Sequence, residues 1–304
     1  MKIGFSGLGQ MGRHIALNLL RSGNSLIVCD VRTDTFAEFE SAGASVTTRP
    51  VELADADIVF LCLPNATVVN EVLFGKAGVM KRLATGKTVI DLSTIAYDAT
   101  IEIGQKLGAL GLSFLDAPVS GMEARAKDGT LSVMCGGSRE TFEAMRPLLG
   151  LVGSTLLFMG PTGSGQLAKL INQLLFDVNA AALAEVLPMA VKLGLDPVAV
   201  AGVVNSGTGR SYASEFFVPR ILEGNFRSGY PMNAAYKDLV SAAQISSRLG
   251  IPLPVLAAAT ATYQQALLHG HGEEDKGSMI RVFEDMLGVR FRASQQPDGE
   301  VAHV

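Results

Sequence analysis

Residues 2–21 read KIGFSGLGQMGRHIALNLLR, and the reading of this stretch decides the fold. KIGFS is a short β-rich run, and HIALNLL places apolar residues at helical spacing. Between them stands Gly7-Leu8-Gly9-Gln10-Met11-Gly12, a GxGxxG pattern. Alone that pattern is weak. Here it follows a strand, opens a helix and precedes a second apolar run, SLIVCD, that ends in Asp30. In a dinucleotide-binding βαβ unit an acid stands about 20 residues beyond the glycines. The glycines permit a tight turn, close approach of a pyrophosphate and helix–strand packing, and N–H groups at the helix start hold phosphate. Asp30 is placed to accept from a ribose 2′-hydroxyl. Its charge opposes a 2′-phosphate, which favours NAD over NADP, and Arg32 close behind it blunts that preference. The competing reading is an ordinary glycine turn with an acid at the next strand end. The coincidence of strand, turn, helix and acid argues against it.

Outward from this unit, the runs DIVFLC, TVIDLS, LSFLDAP, LSVMCG and STLLFMG alternate with helical patterns. That βαβ rhythm predicts an α/β domain with a mostly parallel, doubly wound sheet covered by helices. From Gly163 the rhythm stops, and long apolar helical patterns follow, punctuated by GLDP, NSGTGRS and LGIPLP. The expected architecture is a Rossmann dinucleotide-binding domain over residues 1–162, an all-helical domain for substrate and dimerisation over 163–292, and a flexible polar tail, 293–304. A long helix starting near GSGQ joins the two domains.

A chain of 304 residues suits two domains, and with 48% hydrophobic against 18% charged residues it can build a large core. A net charge of −4 argues against a nucleic-acid surface. Cys29, Cys62 and Cys135 each lie in a short apolar run and read as buried free thiols, which with the absence of a leader before KIGFS suits a cytoplasmic location. The four histidines are scattered, and no spacing suggests a metal. Two uncharged runs of membrane length, 147–168 and 251–272, are broken by Gly, Pro and polar residues, so no membrane span is expected.

Ligands of open α/β sheets lie at the carboxyl ends of strands. Leu63-Pro64 closes DIVFLC, and Thr94 follows TVIDLS, so both are candidates for lining the cofactor. After LSFLDAP comes a turn with Ser120, Gly121 and Met122, where a hydroxyl and exposed N–H groups can hold a small anion. Each is also readable as an ordinary turn. Arg125 and Arg210 read as solvent-facing, with a second substrate anion as the other option.

The helix from Gly163 carries an apolar stripe, Leu167, Leu170, Ile171, Leu174, Leu175 and Val178, beside a narrow polar one, Gln166, Lys169, Asn172, Gln173 and Asp177. A solvated face is one reading of the polar stripe. Its fading beyond Asp177, and its place where the helix leaves the first domain, point instead to a cleft. Hydride transfer from an alcohol requires a base for the hydroxyl proton, and desolvation lowers a lysine towards working pH. Lys169 fits that need, with Asn172 one turn away to hold the lysine or the substrate oxygen.

The set GLGQMG, DLSTI, DAPVSG, GSGQLAKLIN and Lys237-Asp238-Leu239 resembles, in order and spacing, the β-hydroxyacid dehydrogenase family, the 3-hydroxyisobutyrate dehydrogenase group, over roughly residues 1–290. The resemblance implies hydride transfer between a nicotinamide cofactor and a small 3-hydroxy acid, or reduction of the matching semialdehyde. It implies Lys169 as catalytic lysine, Asn172 as supporting amide, Ser120 and Gly121 at the substrate carboxylate, and Thr94 and Lys237 at the cofactor. The sequence departs from the family at Met122, which stands for the second glycine of Ser-Gly-Gly, at Gln173, which stands for a second asparagine, and at KGS, residues 276–278, where an aromatic and a serine are commoner. Two other readings are a non-catalytic dinucleotide-binding module and an imine reductase on the same scaffold; both would be expected to lack Lys169. The apolar helices suggest a homodimer or homotetramer.

Overall fold

Along the short strands of the first part of the chain, alternate side chains enter two different cores. Leu26 and Val28 enter one and Ile27 and Cys29 the other; Ile58 and Phe60 divide likewise from Val59 and Leu61. A sheet buried on both faces needs helices on both, as the βαβ rhythm predicts. The strands are β1 (Lys2–Ser6), β2 (Ser25–Cys29), β3 (Ser45–Thr47), β4 (Ile58–Leu61), β5 (Thr88–Asp91), β6 (Ser113–Asp116), β7 (Val119–Ser120), β8 (Ser132–Gly137) and β9 (Thr155–Gly160). They are described in a computed structural model covering residues 1–293, so of the expected tail, 293–304, all but Ala293 lies outside the described residues.

The sheet order is β3-β2-β1-β4-β5-β6-β8-β7, with β9 beside β8. Strands β1 to β6 are parallel in the doubly wound order; β8 is antiparallel to β6 and β7, and β9 runs parallel to β8. Two strands, β3 and β7, were not expected, because segments of three and two residues are too short to show a period. Helices α1 (Gly12–Arg21), α2 (Phe36–Ser41), α3 (Ala66–Phe74), α4 (Tyr97–Ala109), α5 (Met122–Lys127) and α6 (Arg139–Leu149) complete this part. Cys29 and Cys135 are buried, and Cys62, one residue past β4, is half-buried; burial pushes each thiol up to about 12.

Helix α7 (Ser164–Lys192) follows, and then α8 (Pro197–Ser206), α9 (Tyr212–Leu222), α10 (Met232–Leu249), α11 (Pro254–Leu268) and α12 (Ile280–Leu287). The punctuation in the sequence marks their ends. Asp196 of GLDP caps α8 through the Ala199 N–H at 2.7 Å, with Pro197 at the first helical position. Ser211 and Ser214 form a capping box at the start of α9. The core of this second unit gathers Leu187, Phe217, Ile221, Leu239, Tyr263 and Phe291. Within it Asp177 forms a buried ion pair with Lys276, whose ammonium also lies 4.6 Å from the centre of the Phe176 ring. The unusual Lys276 is thus consumed inside the second unit.

The two compact units are Met1–Lys169 and Leu170 onward. These compact units divide inside α7, the start of which is bonded to strand ends of the first unit. The two stripes of α7 do not divide into a solvated polar face and a buried apolar one. Gln166, Lys169 and Asp177 are buried, at 3%, 8% and 0% exposure, whereas Ile171 and Leu175 of the apolar stripe are 62% and 64% exposed. By length and composition α7 would pass for a membrane span. Its bonds to strand ends and its buried ion pair are those of a core helix.

Candidate functional site

The strand order reverses between β1 and β4, and the loops after these two strands meet there. Gly7, at φ 99°, lies so close to the Cys62 carbonyl that any side chain would collide with it. A side chain on Gly12 would collide with the Gly7 carbonyl, so α1 packs directly on the turn. At Gly9 an added Cβ meets nothing within 4 Å, so the turn opens onto free space where a pyrophosphate can approach. The first turn of α1 has no acidic residue to repel it. Met11 precedes the helix and Leu8 is buried under the turn. These residues fit the dinucleotide that the fingerprint implies.

Asp30 lies just past β2 and accepts from the Leu8 N–H at 2.6 Å and from the Arg32 N–H at 2.9 Å. The acid therefore braces the glycine turn as well as facing the edge where a ribose would lie. Arg32 is exposed, with its guanidinium 4.0 Å from Asp30. Gln10 donates to Glu123 at 2.7 Å, and His14 meets the same carboxylate at 3.0 Å. These bonds hold Glu123 below the usual carboxylate range and latch the fingerprint turn to α5.

The other strand-end residues gather along the same edge. Leu63 is half-buried and Pro64 exposed, ahead of Asn65, which caps α3. Thr94 is half-buried past β5, and Ser120, Gly121 and Met122 are half-buried at the start of α5. Among the described residues Met122 is the one non-glycine residue with positive φ, at 61°. It keeps the left-handed backbone that a glycine would adopt without cost. Arg125 is exposed, and its side-chain carbons lie over Gly121.

The start of α7 is tied to the ends of β5 and β6. Asp116 accepts from the Gly163 N–H at 2.7 Å and the Gln166 N–H at 3.0 Å, capping the helix from a distant strand. Gln166 bonds in turn to the segment around Thr94, and Lys169 follows one turn later, buried. Asp91 is the register partner of Asp116 on the neighbouring strand. Burial pushes Asp91 up to about 7, and the Asp116 charge adds to the rise; Ser93 opposes it. Burial likewise pushes Asp116 up to about 6, against its N–H donors. Folded carboxyls with raised pKa hold protons that the unfolded chain has released, so their contribution to stability falls as pH rises from about 4 to about 7. Asp91→Asn removes one of these titrations. Its melting temperature should decline less steeply than that of the wild type between pH 5 and 7.5, roughly the window set by these carboxyls. Parallel melting curves against pH would show the assignment to be wrong.

In the second unit, Asn172 is exposed, whereas Gln173 is half-buried and donates weakly to Asp238 at 3.5 Å. The inward polar line of α7 thus runs Lys169, Gln173, Asp177, at i, i+4 and i+8. Gln173, at i+4 from Lys169, is the inward amide and Asn172, at i+3, the exposed one. Lys237 is half-buried on α10, and burial lowers its pKa against the opposing effect of Asp238. Asp116 was not singled out at all, since nothing local marks a strand-end acid as the cap of a helix so far along the chain.

Comparison with known proteins gives concordant likenesses. Residues 2–160 match the family model described as the NAD binding domain of 6-phosphogluconate dehydrogenase. Residues 163–283 match that of the NAD-binding domain of NADP-dependent 3-hydroxyisobutyrate dehydrogenase. The chain is 36% identical to 2-(hydroxymethyl)glutarate dehydrogenase of Eubacterium barkeri, over 97% of this chain and 99% of that one. It is 35% identical to 2-hydroxy-3-oxopropionate reductase of Escherichia coli, over 96% and 100%. Among solved structures it is similar to 3-hydroxyisobutyrate dehydrogenase from Salmonella typhimurium, with TM-score 0.85 and 31% identity over 93% of this chain and 100% of that one.

Proposed function

The chain belongs to the β-hydroxyacid dehydrogenase family, and from that premise we propose how its residues divide the work of a nicotinamide-dependent oxidoreductase acting on the CH–OH group of a small hydroxy acid. Lys169 is the general acid/base. The observation that carries this is a lysine only 8% exposed, on a helix whose first turn is bonded to the edge that also holds the glycine turn and Thr94. In oxidation its neutral amine takes the hydroxyl proton; in reduction its ammonium returns one to the forming alkoxide. The bound nicotinamide supplies the hydride acceptor or donor. Gly7 to Gly12 and Asp30 hold the dinucleotide, with Arg32, Leu63, Pro64 and Thr94 lining it; Lys237 joins them by motif match alone. Ser120 and Gly121 receive the substrate carboxylate, Met122 shapes the room beside it, and Asn172 or Gln173 supplies the amide for the substrate oxygen.

NAD is the preferred cofactor on this reading. Asp30→Ala should narrow the NAD-over-NADP ratio of kcat/KM several-fold, because the repelling carboxylate is gone. A wild type that already prefers NADP would shift the choice to Arg32. The second unit also pairs with a second copy of the chain, as homodimer or homotetramer, covering the outward apolar residues Ile171, Leu175, Val203 and Leu268. Sedimentation of the full chain as a monomer would sink this. We place the enzyme in the cytoplasm.

A non-catalytic module and an imine reductase are not favoured, since Lys169 is present and the relatives are named as a hydroxymethylglutarate dehydrogenase and a hydroxy-oxopropionate reductase. The deciding experiment is a spectrophotometric screen of 3-hydroxyisobutyrate, tartronate semialdehyde, 4-hydroxybutyrate and threonate with each nicotinamide. Turnover of at least one 3-hydroxy acid or semialdehyde is expected. No turnover of any would overturn the substrate class.

A further inference from the structure

Between the end of β5 and the first turn of α7 lies a buried set of hydrogen bonds that the reaction chemistry alone does not require. Gln166 is 3% exposed. Its side-chain oxygen accepts from the Ile95 N–H at 3.2 Å, and its side-chain nitrogen donates to the Ser93 carbonyl at 2.7 Å. Ser93 and Ile95 flank Thr94, so one amide grips the backbone on both sides of that residue, as a neighbouring strand would. The grip extends outward. Ser93 donates its N–H to Asp91 at 2.9 Å, and its hydroxyl accepts from the Leu63 N–H at 2.8 Å. The backbone N–H of Gln166 is itself held by Asp116 at 3.0 Å. Close approach is built in: a side chain on Gly165 would collide with the Met134 carbonyl and come within 2.8 Å of the Asp116 carbonyl oxygen.

We propose that Gln166 is a positioning residue that sets the register between the Thr94 segment and Lys169, three residues further along the same helix. The proposal rests on the assignment of Lys169 as acid/base. Only a side chain with a donor and an acceptor at this reach can satisfy both backbone groups. Glutamate keeps the acceptor and loses the donor; methionine keeps the volume and loses both. With methionine, the Ser93 carbonyl and the Ile95 N–H are left buried without their partner, and the segment shifts to find others. A displacement of about 1 Å between reacting groups costs on the order of a hundredfold in rate. The glycine turn and Asp30, proposed to hold the pyrophosphate and ribose, are not part of this set.

The test is a double-mutant cycle on the full-length enzyme with Gln166→Met and Lys169→Ala, reading kcat, KM and, by fluorescence of the reduced nicotinamide, dinucleotide Kd. Gln166→Met should lower kcat roughly ten- to a hundredfold, with KM and Kd changed less than about threefold. In the Lys169→Ala background the same change should cost less than about twofold, because the group it positions is absent. Equal losses in both backgrounds, or a loss confined to KM and Kd, would overturn the positioning role and leave Lys169 in place. Wild-type turnover by Lys169→Ala alone would instead overturn the acid/base assignment. Gln166→Glu runs the same cycle if the methionine variant does not fold; with its acceptor intact it should show a smaller kcat loss of the same kind, and an unchanged kcat would count against the proposal.

Discussion

Replacing Lys169 with alanine should lower kcat by roughly 10²–10⁴, the range for removal of a general acid/base, the role proposed for it. The expectation follows from where the lysine sits. It is buried on the first unit's side of α7, one turn beyond a helix start pinned by Asp116 and Gln166. Dinucleotide affinity should barely move, because the glycine turn and Asp30 lie on other elements. Lys169→Arg should not restore the rate: a guanidinium stays protonated at working pH and cannot take the hydroxyl proton. The measurement is steady-state oxidation of the best acid from the screen, with dinucleotide binding followed separately. Near wild-type turnover in either variant would remove Lys169 from proton transfer.

Replacing Met122 with glycine should alter which acid is preferred without abolishing activity. At φ 61° the methionine holds a left-handed backbone, which costs an L-residue about 1–2 kcal/mol. The position is half-buried beside Ser120 and Gly121, so the thioether also fills volume near any substrate held there. Glycine removes both the strain and the volume, whereas Met122→Ala removes most of the volume and keeps the strain. A methylene-scale change in an apolar pocket discriminates by about 1–3 kcal/mol. On that scale Met122→Gly should shift the kcat/KM ratios among acids of different length or branching by roughly tenfold or more, with an unchanged or higher melting temperature. If Met122→Ala gives the same shift, volume is responsible; if only glycine does, the backbone is. Ser120→Ala should weaken all carboxylate substrates together. A panel of kcat/KM values that keeps its ranking and ratios in Met122→Gly would make Met122 scaffold, and selectivity would lie elsewhere.

Much of the fold was legible because its signals are local. The glycine turn, the strand-end Asp30 and the βαβ rhythm each span a few residues, and their physics is that of a single turn or strand. The ends of the second unit's helices were legible for the same reason, as GLDP and GRS carry their own caps. The two short strands were not, since pairing with a neighbour rather than their own pattern makes them strands. Among the candidate site residues, Lys169 was marked by being a charge in an apolar helix. Which of Asn172 and Gln173 turns inward was not, because positions i+3 and i+4 look equally near on a helical wheel until packing separates them.

By itself the sequence determined the doubly wound sheet, the dinucleotide turn and the presence of a polar stripe on α7, all properties of short stretches and their periods. Only the tertiary structure decided which side of α7 is inside. The Gln166 side chain is buried because Ser93 and Ile95, beyond β5, offer partners that no nearby residue supplies, and Asp177 is buried because Lys276 and Tyr263 do the same. The strained backbone at Met122 was equally invisible, since a side chain does not announce the φ that its surroundings impose. A buried polar group is tolerable only where its partners are, and those partners come together only when strands distant in sequence stand side by side.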